Sequence, residues 1–261
     1  METSVITSTS TSHADGHSVL RSYLLEARYE CLRTLRTPSF VIPSLLFPAM
    51  FYVLFGILLN RGNGDAARYL LATYGVFGVM GTGLFAFGVT VAMERERGFI
   101  TYKRALPMPP GAYLFAKITV AMLFASIISL LLAVLASTLA HVSLSAMQWG
   151  LLMAVNVLGV LPFCAIGLFI GTLVGGQGAP AVVNMIYLPM SFLSGLWLPL
   201  TMLPTVFGNL APAWPPYHLA QVALAVVGMS KDSNIVLHVG ILVAIAAGFL
   251  LLAMRRLRRH G

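Results

Sequence analysis

Long apolar runs alternate with short polar breaks along most of this chain. Six runs, at about Pro38–Leu59, Tyr69–Met93, Leu114–Leu139, Trp149–Leu173, Ala181–Leu198 and Ile235–Met254, are apolar on every side. Helices of that kind are surrounded by lipid or by one another, whereas a helix on a soluble core keeps one wet face. A helical crossing takes about 20 residues, so the pattern predicts an all-α integral membrane protein with six transmembrane helices. The stretch before the first run has a different period. From Ser18 to Thr37, Leu20, Leu24, Ala27, Cys31 and Leu35 share one helical stripe, Arg21, Arg28 and Arg33 lie off it, and Glu26 and Glu30 are interspersed. This predicts an amphipathic helix in the membrane interface, with packing on a protein partner as the alternative.

The predicted organisation is a disordered Ser/Thr-rich tail at 1–17, the interfacial helix at 18–37, a six-helix domain at 38–254 and a basic tail at 255–261. Small residues mark where helices approach closely. Gly75, Gly78, Gly81, Gly83 and Gly88 crowd the second run, and Gly167, Gly171 and Gly175 repeat every four residues in and just after the fourth. Between runs five and six, Pro199 to Val227 is too apolar for a solvated loop, yet Pro199, Pro204, Pro212, Pro215 and Pro216 interrupt any straight helix. Irregular backbone cannot face lipid, so this segment is expected to be re-entrant and buried against protein.

Charge then sets the orientation. Asp, Glu, Lys and Arg make up 9% of residues against 58% hydrophobic ones, and the mean hydropathy is +0.88. The net charge of +8 reflects cytosolic arginines and lysines, and no nucleic-acid partner is expected. With the N-terminus inside, thirteen of the sixteen Lys and Arg residues fall on cytosolic segments, leaving Arg61, Arg68 and Lys231 outside. Both termini are therefore expected in the cytosol.

Several chemistries are excluded. None of the three lysines, Lys103, Lys117 and Lys231, follows a glycine, so the chain has no P-loop for ATP. Apart from Lys117 near one boundary and His238 near the other, the spans hold no Asp, Glu, Lys, Arg or His, which disfavours ion-coupled transport. Ser126, Ser191 and Ser194 lack a plausible buried base for hydrolysis and are read as hydrogen-bonding between helices. Cys31 and Cys164 lie on different elements, so neither a disulfide nor a metal site is expected.

One dense block of charge remains, Met93 to Arg104, followed by the turn Pro107 to Gly111. A helix starting at Glu94 pairs it with Arg97 at i,i+3. Phe99, Tyr102 and Leu106 then lie along one side, with Arg95, Lys103 and Arg104 more exposed. Such an amphipathic helix can seat in a groove of a cytosolic partner; a plain hairpin whose arginines fix topology is the other reading.

Two motif regions resemble the membrane permease subunits of type-2 ABC exporters. One is Glu94-Arg95-Glu96-Arg97-Gly98, then Leu106-Pro107 and Tyr113-Leu114-Phe115-Ala116-Lys117. The other is Leu188 to Gly195, then Pro199, Pro204 and Trp214 to Leu219. Order and spacing match over roughly residues 20 to 254. The resemblance implies a half-transporter of a bacterial cytoplasmic membrane, in which two permease chains, here expected to be identical, assemble with two copies of a P-loop ATPase. ATP and Mg are then bound by the partner, and no cofactor or metal by this chain, which is not itself an enzyme. It also implies that Glu94, Arg95, Glu96, Arg97, Gly98, Phe99, Tyr102, Lys103 and Arg104 form the coupling helix on which the ATPase docks. Many relatives carry polar or charged residues between spans four and five, where this chain has only Gly175 to Pro180.

The expected substrate is a lipophilic or amphipathic drug, antibiotic or lipid, with Phe77, Phe85, Asn156, Asn184, Tyr187 and Ser191 as cavity residues chosen by span position. A glycan or lipid-linked saccharide exporter is the alternative, and an ATPase-independent channel or membrane anchor the alternative of another class.

Overall fold

The computed structural model describes residues 19–60, 63–105, 109, 111–230 and 234–260. The expected tail at 1–17, residues 106–108 and 110 of the proline turn, the break at 231–233, and the side chains of Arg104, Ala105 and residues 258–260 lie outside that description.

The described chain is helical throughout, with no strand among the described residues. Helix α1 (Val19–Leu35) packs along α6 (Ala112–Thr138). The side it buries carries Ala27 and Glu30, while Leu20, Leu24 and Leu35 of the apolar stripe stay exposed. The Tyr23 ring meets Phe115 edge-on, 5.5 Å between centroids. Helix α2 (Pro38–Phe51) opens on a proline, whose missing N–H costs nothing in a first turn, and continues as a π-helical stretch, Tyr52–Leu58.

The second span is the organising helix. It begins at α3 (Gly64–Leu84), where the Asn63 side chain accepts from the backbone of Asp65 and Ala66. It passes through a π-helical turn at Phe85–Val89 and ends as α4 (Thr90–Glu96). The whole run, Gly64–Glu96, is one apolar helix of 33 residues, mostly buried. Glu94 therefore rides on the last turn of the span and does not start a separate helix. The break comes at Arg97 and Gly98, whose φ of +71° suits glycine, and α5 (Phe99–Ala105) comes next.

Helix α7 (Ala146–Leu173) opens with a capping box between Ser145 and Gln148. It lies at the centre, touching α3, α4, α6, α8 (Ala179–Leu193), α10 (Pro215–Val226) and α11 (Ile235–His260). The predicted glycine seam is present for two of its three members. A Cβ on Gly167 would stand 2.9 Å from the Gly83 carbonyl oxygen, and one on Gly171 2.9 Å from that of Phe87, so backbones meet there directly. Gly175 falls beyond the end of α7, in the loop.

Among the described residues, five helices are long and apolar enough to cross a membrane: Pro38–Leu58, Gly64–Glu96, Ala112–Thr138, Ala146–Leu173 and Ile235–Leu257. The expected fifth span is shorter than the sequence pattern suggested. Helix α8 has 15 residues, about 22 Å at 1.5 Å per residue, against about 30 Å of hydrocarbon. Its apolar run reaches Leu198, but the chain turns at Gly195, with φ +73°.

Beyond that turn the helix is broken into short pieces. Single 3-10 turns at Leu200–Met202 and Ala211–Ala213 flank α9 (Thr205–Leu210), and α10 comes next. Here His218 and His238 face each other, Nδ1 to Nδ1 at 2.7 Å, both buried. The His218 Nε2 lies 2.9 Å from the Pro212 carbonyl oxygen. That carbonyl only accepts, so Nε2 carries a proton and the neutral His218 offers its Nδ1 lone pair to the His238 N–H.

Candidate functional site

Three helices each bring a pair of residues three or four apart in sequence, which places both on one side of the helix. They are Glu30 and Arg33 on α1, Thr90 and Glu94 on α4, and Tyr113 and Lys117 on α6. The pairs converge. The Lys117 Nζ donates to Glu94 Oε1 at 2.9 Å and to Thr90 Oγ1 at 3.1 Å, and is ion-paired with Glu30 Oε1 at 2.6 Å. The Tyr113 hydroxyl donates to Glu94 Oε2 at 2.6 Å, and Arg33 pairs with both Glu94 and Glu30.

Two carboxylates and two cations thus form a neutral cluster in which Lys117 is 2% and Glu94 8% exposed. Partial burial works against the Arg33 charge, but hydrogen bonds and the fields of Glu94 and Glu30 outweigh it and hold the guanidinium above its ordinary value. A second ion pair joins Lys103 to Glu26 of α1, with the ammonium 4.9 Å from the Tyr113 ring centroid.

This corrects one local expectation: Glu94 is committed to Arg33, Tyr113 and Lys117 rather than to Arg97, and Lys117 is enclosed.

The next two residues tie α4 to the end of α7. Arg95 donates to the Thr172 carbonyl and, at 2.9 Å, to that of Val174, filling acceptors that the last turn of a helix leaves open. Arg256 of α11 reaches the same Thr172 oxygen at 3.1 Å. The Glu96 carboxylate accepts the Gly176 N–H, and a Cβ on Gly176 would lie 2.8 Å from the Met93 Cα. The uncharged loop after α7 is thus held against α4 by its backbone.

The rest of the charged block faces outward. Arg97, Gly98, Phe99 and Tyr102 are exposed, Tyr102 at 62%, and the Phe99 and Tyr102 rings lie 6.2 Å apart on α5. The nine residues of the predicted docking element therefore divide. Glu94, Arg95, Glu96 and Lys103 make contacts inside the chain, and Arg97, Gly98, Phe99 and Tyr102 are presented to the surroundings. The Arg104 side chain lies outside the described residues.

Four of the six residues predicted for a cavity line one. A pocket of about 470 Å³ between α2, α3 and α8 is bounded by Phe77, Phe85, Asn184 and Tyr187, together with Phe47, Phe51, Ser39, Ser44, Thr82 and Trp197. Among the described residues, no charged side chain lines it. Phe77 stacks on Tyr187 at 5.0 Å between centroids and Phe85 meets Tyr187 edge-on at 5.7 Å. The Tyr187 hydroxyl donates to the Phe77 carbonyl at 3.2 Å.

Asn156 and Ser191 are elsewhere. Asn156 donates to Ser129 at 2.9 Å in the α6–α7 contact, and the Ser191 hydroxyl donates to Leu188, within α8. Ser126 likewise bonds within its own helix, to Met122, so these serines do not link helices as expected.

Sequence reasoning missed two features. Trp197 lines the pocket, and its buried indole Nε1 has no partner among the described residues; an isolated Trp where an apolar run meets a proline was the available signal. Glu30 was read only as part of an amphipathic pattern. Its i,i+3 spacing to Arg33 was visible, but its partner Lys117 lies 87 positions further on.

Comparison with known proteins agrees with this architecture. Residues 22–227 match the model of the family described as ABC-2 type transporter. The chain is also 30% identical over 241 residues, 86% of its own length and 92% of the relative's, to YvfS of Bacillus subtilis (strain 168), which bears the name of a transport permease. With the matched region running from the buried face of α1 to the end of α10, and several apolar helices behind it, the chain belongs to the ABC-2 type transporter family as a multi-pass membrane permease.

Proposed function

We propose that the chain is the permease half of an ATP-driven exporter of lipophilic or amphipathic small molecules, powered by a separate P-loop ATPase that docks on Arg97, Gly98, Phe99 and Tyr102. The observation that carries this reading is the division of the charged block: an exposed aromatic stub, α5, stands on a base locked to α1, α6 and α7 by ions. A push on such a stub moves whole helices, which is what a coupling element has to do.

The orientation places both termini and α5 in the cytosol of a bacterium, with α8 and the broken segment after it completing the sixth crossing as a re-entrant structure. The pocket between α2, α3 and α8 is then the substrate site, faced by a second, identical permease. Its aromatic lining takes apolar bodies and the Trp197 N–H takes an acceptor. A saccharide path would call for more polar and carboxylate groups, and among the described residues the pocket's lining holds no carboxylate.

The test is co-purification and hydrolysis. The tagged chain should bring down a P-loop ATPase, and Phe99→Ala with Tyr102→Ala should abolish coupled ATP hydrolysis while the chain still inserts. Consistent absence of an ATPase, or undiminished hydrolysis in that double variant, would refute the docking role. Glu94 is unsuited to this test, because removing it leaves Lys117 buried without its full set of partners.

A further inference from the structure

Helix α1 sorts its charges by face. Its two carboxylates turn toward the bundle, Glu26 onto Lys103 and Glu30 onto Lys117 and Arg33. Arg21 and Arg28 are exposed and, among the described residues, have no hydrogen-bond or ion-pair partner. They stand seven residues apart, hence on one side of the helix, and Leu24 sits one turn from each. Leu20, Leu24, Leu25, Leu32 and Leu35 are exposed around them.

An exposed surface of leucines set with arginines, on a helix beside the membrane spans, matches two parts of a phospholipid. Acyl chain covers the leucines, and a phosphate-bearing headgroup meets the guanidinium groups. The inward carboxylates contribute a second effect. With Glu26 and Glu30 neutralised by their lysine and arginine partners, the outward face is left positive.

We infer that the outward face of α1 is a binding surface for anionic phospholipids, with Arg21 and Arg28 holding the headgroup. This rests on the membrane placement of the spans and on neither the ATPase docking nor the substrate. The anionic leaflet it meets is the cytosolic one in the orientation proposed above. The same helix grips α4, α5 and α6 through its other face, so lipid held here bears directly on the base of α5.

The test uses the full chain in phosphatidylcholine vesicles, with Leu24→Cys labelled by bimane in a Cys31→Ser, Cys164→Ser background. Phosphatidylglycerol or phosphatidylcholine carrying a nitroxide high on the acyl chain is titrated in as quencher. One cation at an anionic surface contributes about five-fold in association, so the pair gives phosphatidylglycerol a preference of about thirty-fold. Arg21→Gln with Arg28→Gln should make the two lipids quench alike, as should raising the salt to about 1 M.

Equal quenching by both lipids with the arginines present would reduce α1 to a neutral apolar anchor and overturn the inference. So would a preference that survives the double substitution. Because the readout needs neither ATP nor a partner chain, its failure is distinct from failure of the exporter reading.

Discussion

At the Glu94 end of the bundle, helices distant in sequence are joined by ions; at the opposite end, around Gly195 and His218, uncharged hydrogen bonds predominate, with Arg68 on the Ser143 carbonyl at 3.3 Å as a charged exception. The first end holds Lys117 among Glu30, Glu94 and Thr90, and sets Arg95 and Arg256 on the carbonyl of Thr172. The second holds Tyr69 on the Gly195 carbonyl at 3.1 Å, Tyr74 on that of Trp197 at 3.3 Å, and His218 on His238. A buried ion pair loses most when one partner is removed, since the other is left charged and unsolvated. A neutral bond to a carbonyl costs far less to break. The ionic end is therefore built to move as one piece, and the neutral end can rearrange one contact at a time.

The comparison breaks most readily at Lys117. Lys117→Met should lower unfolding stability in detergent by about 3–5 kcal/mol. Adding Glu30→Gln, Glu94→Gln and Arg33→Leu should recover most of that loss, because no charge then stays buried alone. If Lys117→Met is neutral in thermal or denaturant unfolding, the cluster is solvated and the contrast between the two ends disappears.

Next in size is Arg95→Leu, which removes charged donors from the Thr172 and Val174 carbonyls and should cost about 1.5–3 kcal/mol. Amide exchange should quicken in the last turn of α7 and at Gly176, and unchanged exchange there would remove Arg95 from the junction.

At the neutral end, Gly195→Ala places a Cβ 2.6 Å from the Leu200 Cγ at a φ of +73°. Overpacking and left-handed strain together should cost about 1–3 kcal/mol. The effect should stay local, with reactivity of a cysteine probe near Leu200 changed and one near Glu94 unaffected.

The smallest effect is expected at the imidazole pair. His218 bridges the Pro212 carbonyl and the His238 ring, with Tyr217 edge-on to both imidazoles. His218→Phe removes both hydrogen bonds and should cost about 0.5–1.5 kcal/mol. An unchanged Tm in detergent would remove the pair from what joins α10 to α11.

How much of this was legible in the sequence depended on the range of the interaction. The apolar runs located the long helices and Pro38 marked a start, because these depend on neighbours within a turn or two; the break at Gly98 was not read, and a helix from Glu94 was expected to run through it to Leu106. The charged block was found for the same reason. Its internal arrangement was not, since whether Glu94 faces Arg97 or Lys117 depends on how α6 lies against α4. In the cavity, Phe77, Phe85, Asn184 and Tyr187 were placed by span position, whereas Asn156 shares a span's depth but faces α6. The length of α8 was misread because an apolar run reports only where lipid or protein covers the chain. The turn at Gly195 is decided by its φ.

By itself the sequence determined that the chain is an all-helical membrane protein, which stretches are apolar enough to lie within lipid, and that one charged block interrupts them. Hydropathy and helical period are local properties, summed over neighbouring residues. Only the tertiary structure decided which charges of that block close on Glu30 and Lys117 and which face outward with Phe99 and Tyr102. A buried charge is tolerable only where several helices bring its partners within hydrogen-bond reach, and that convergence belongs to the packing of the whole chain.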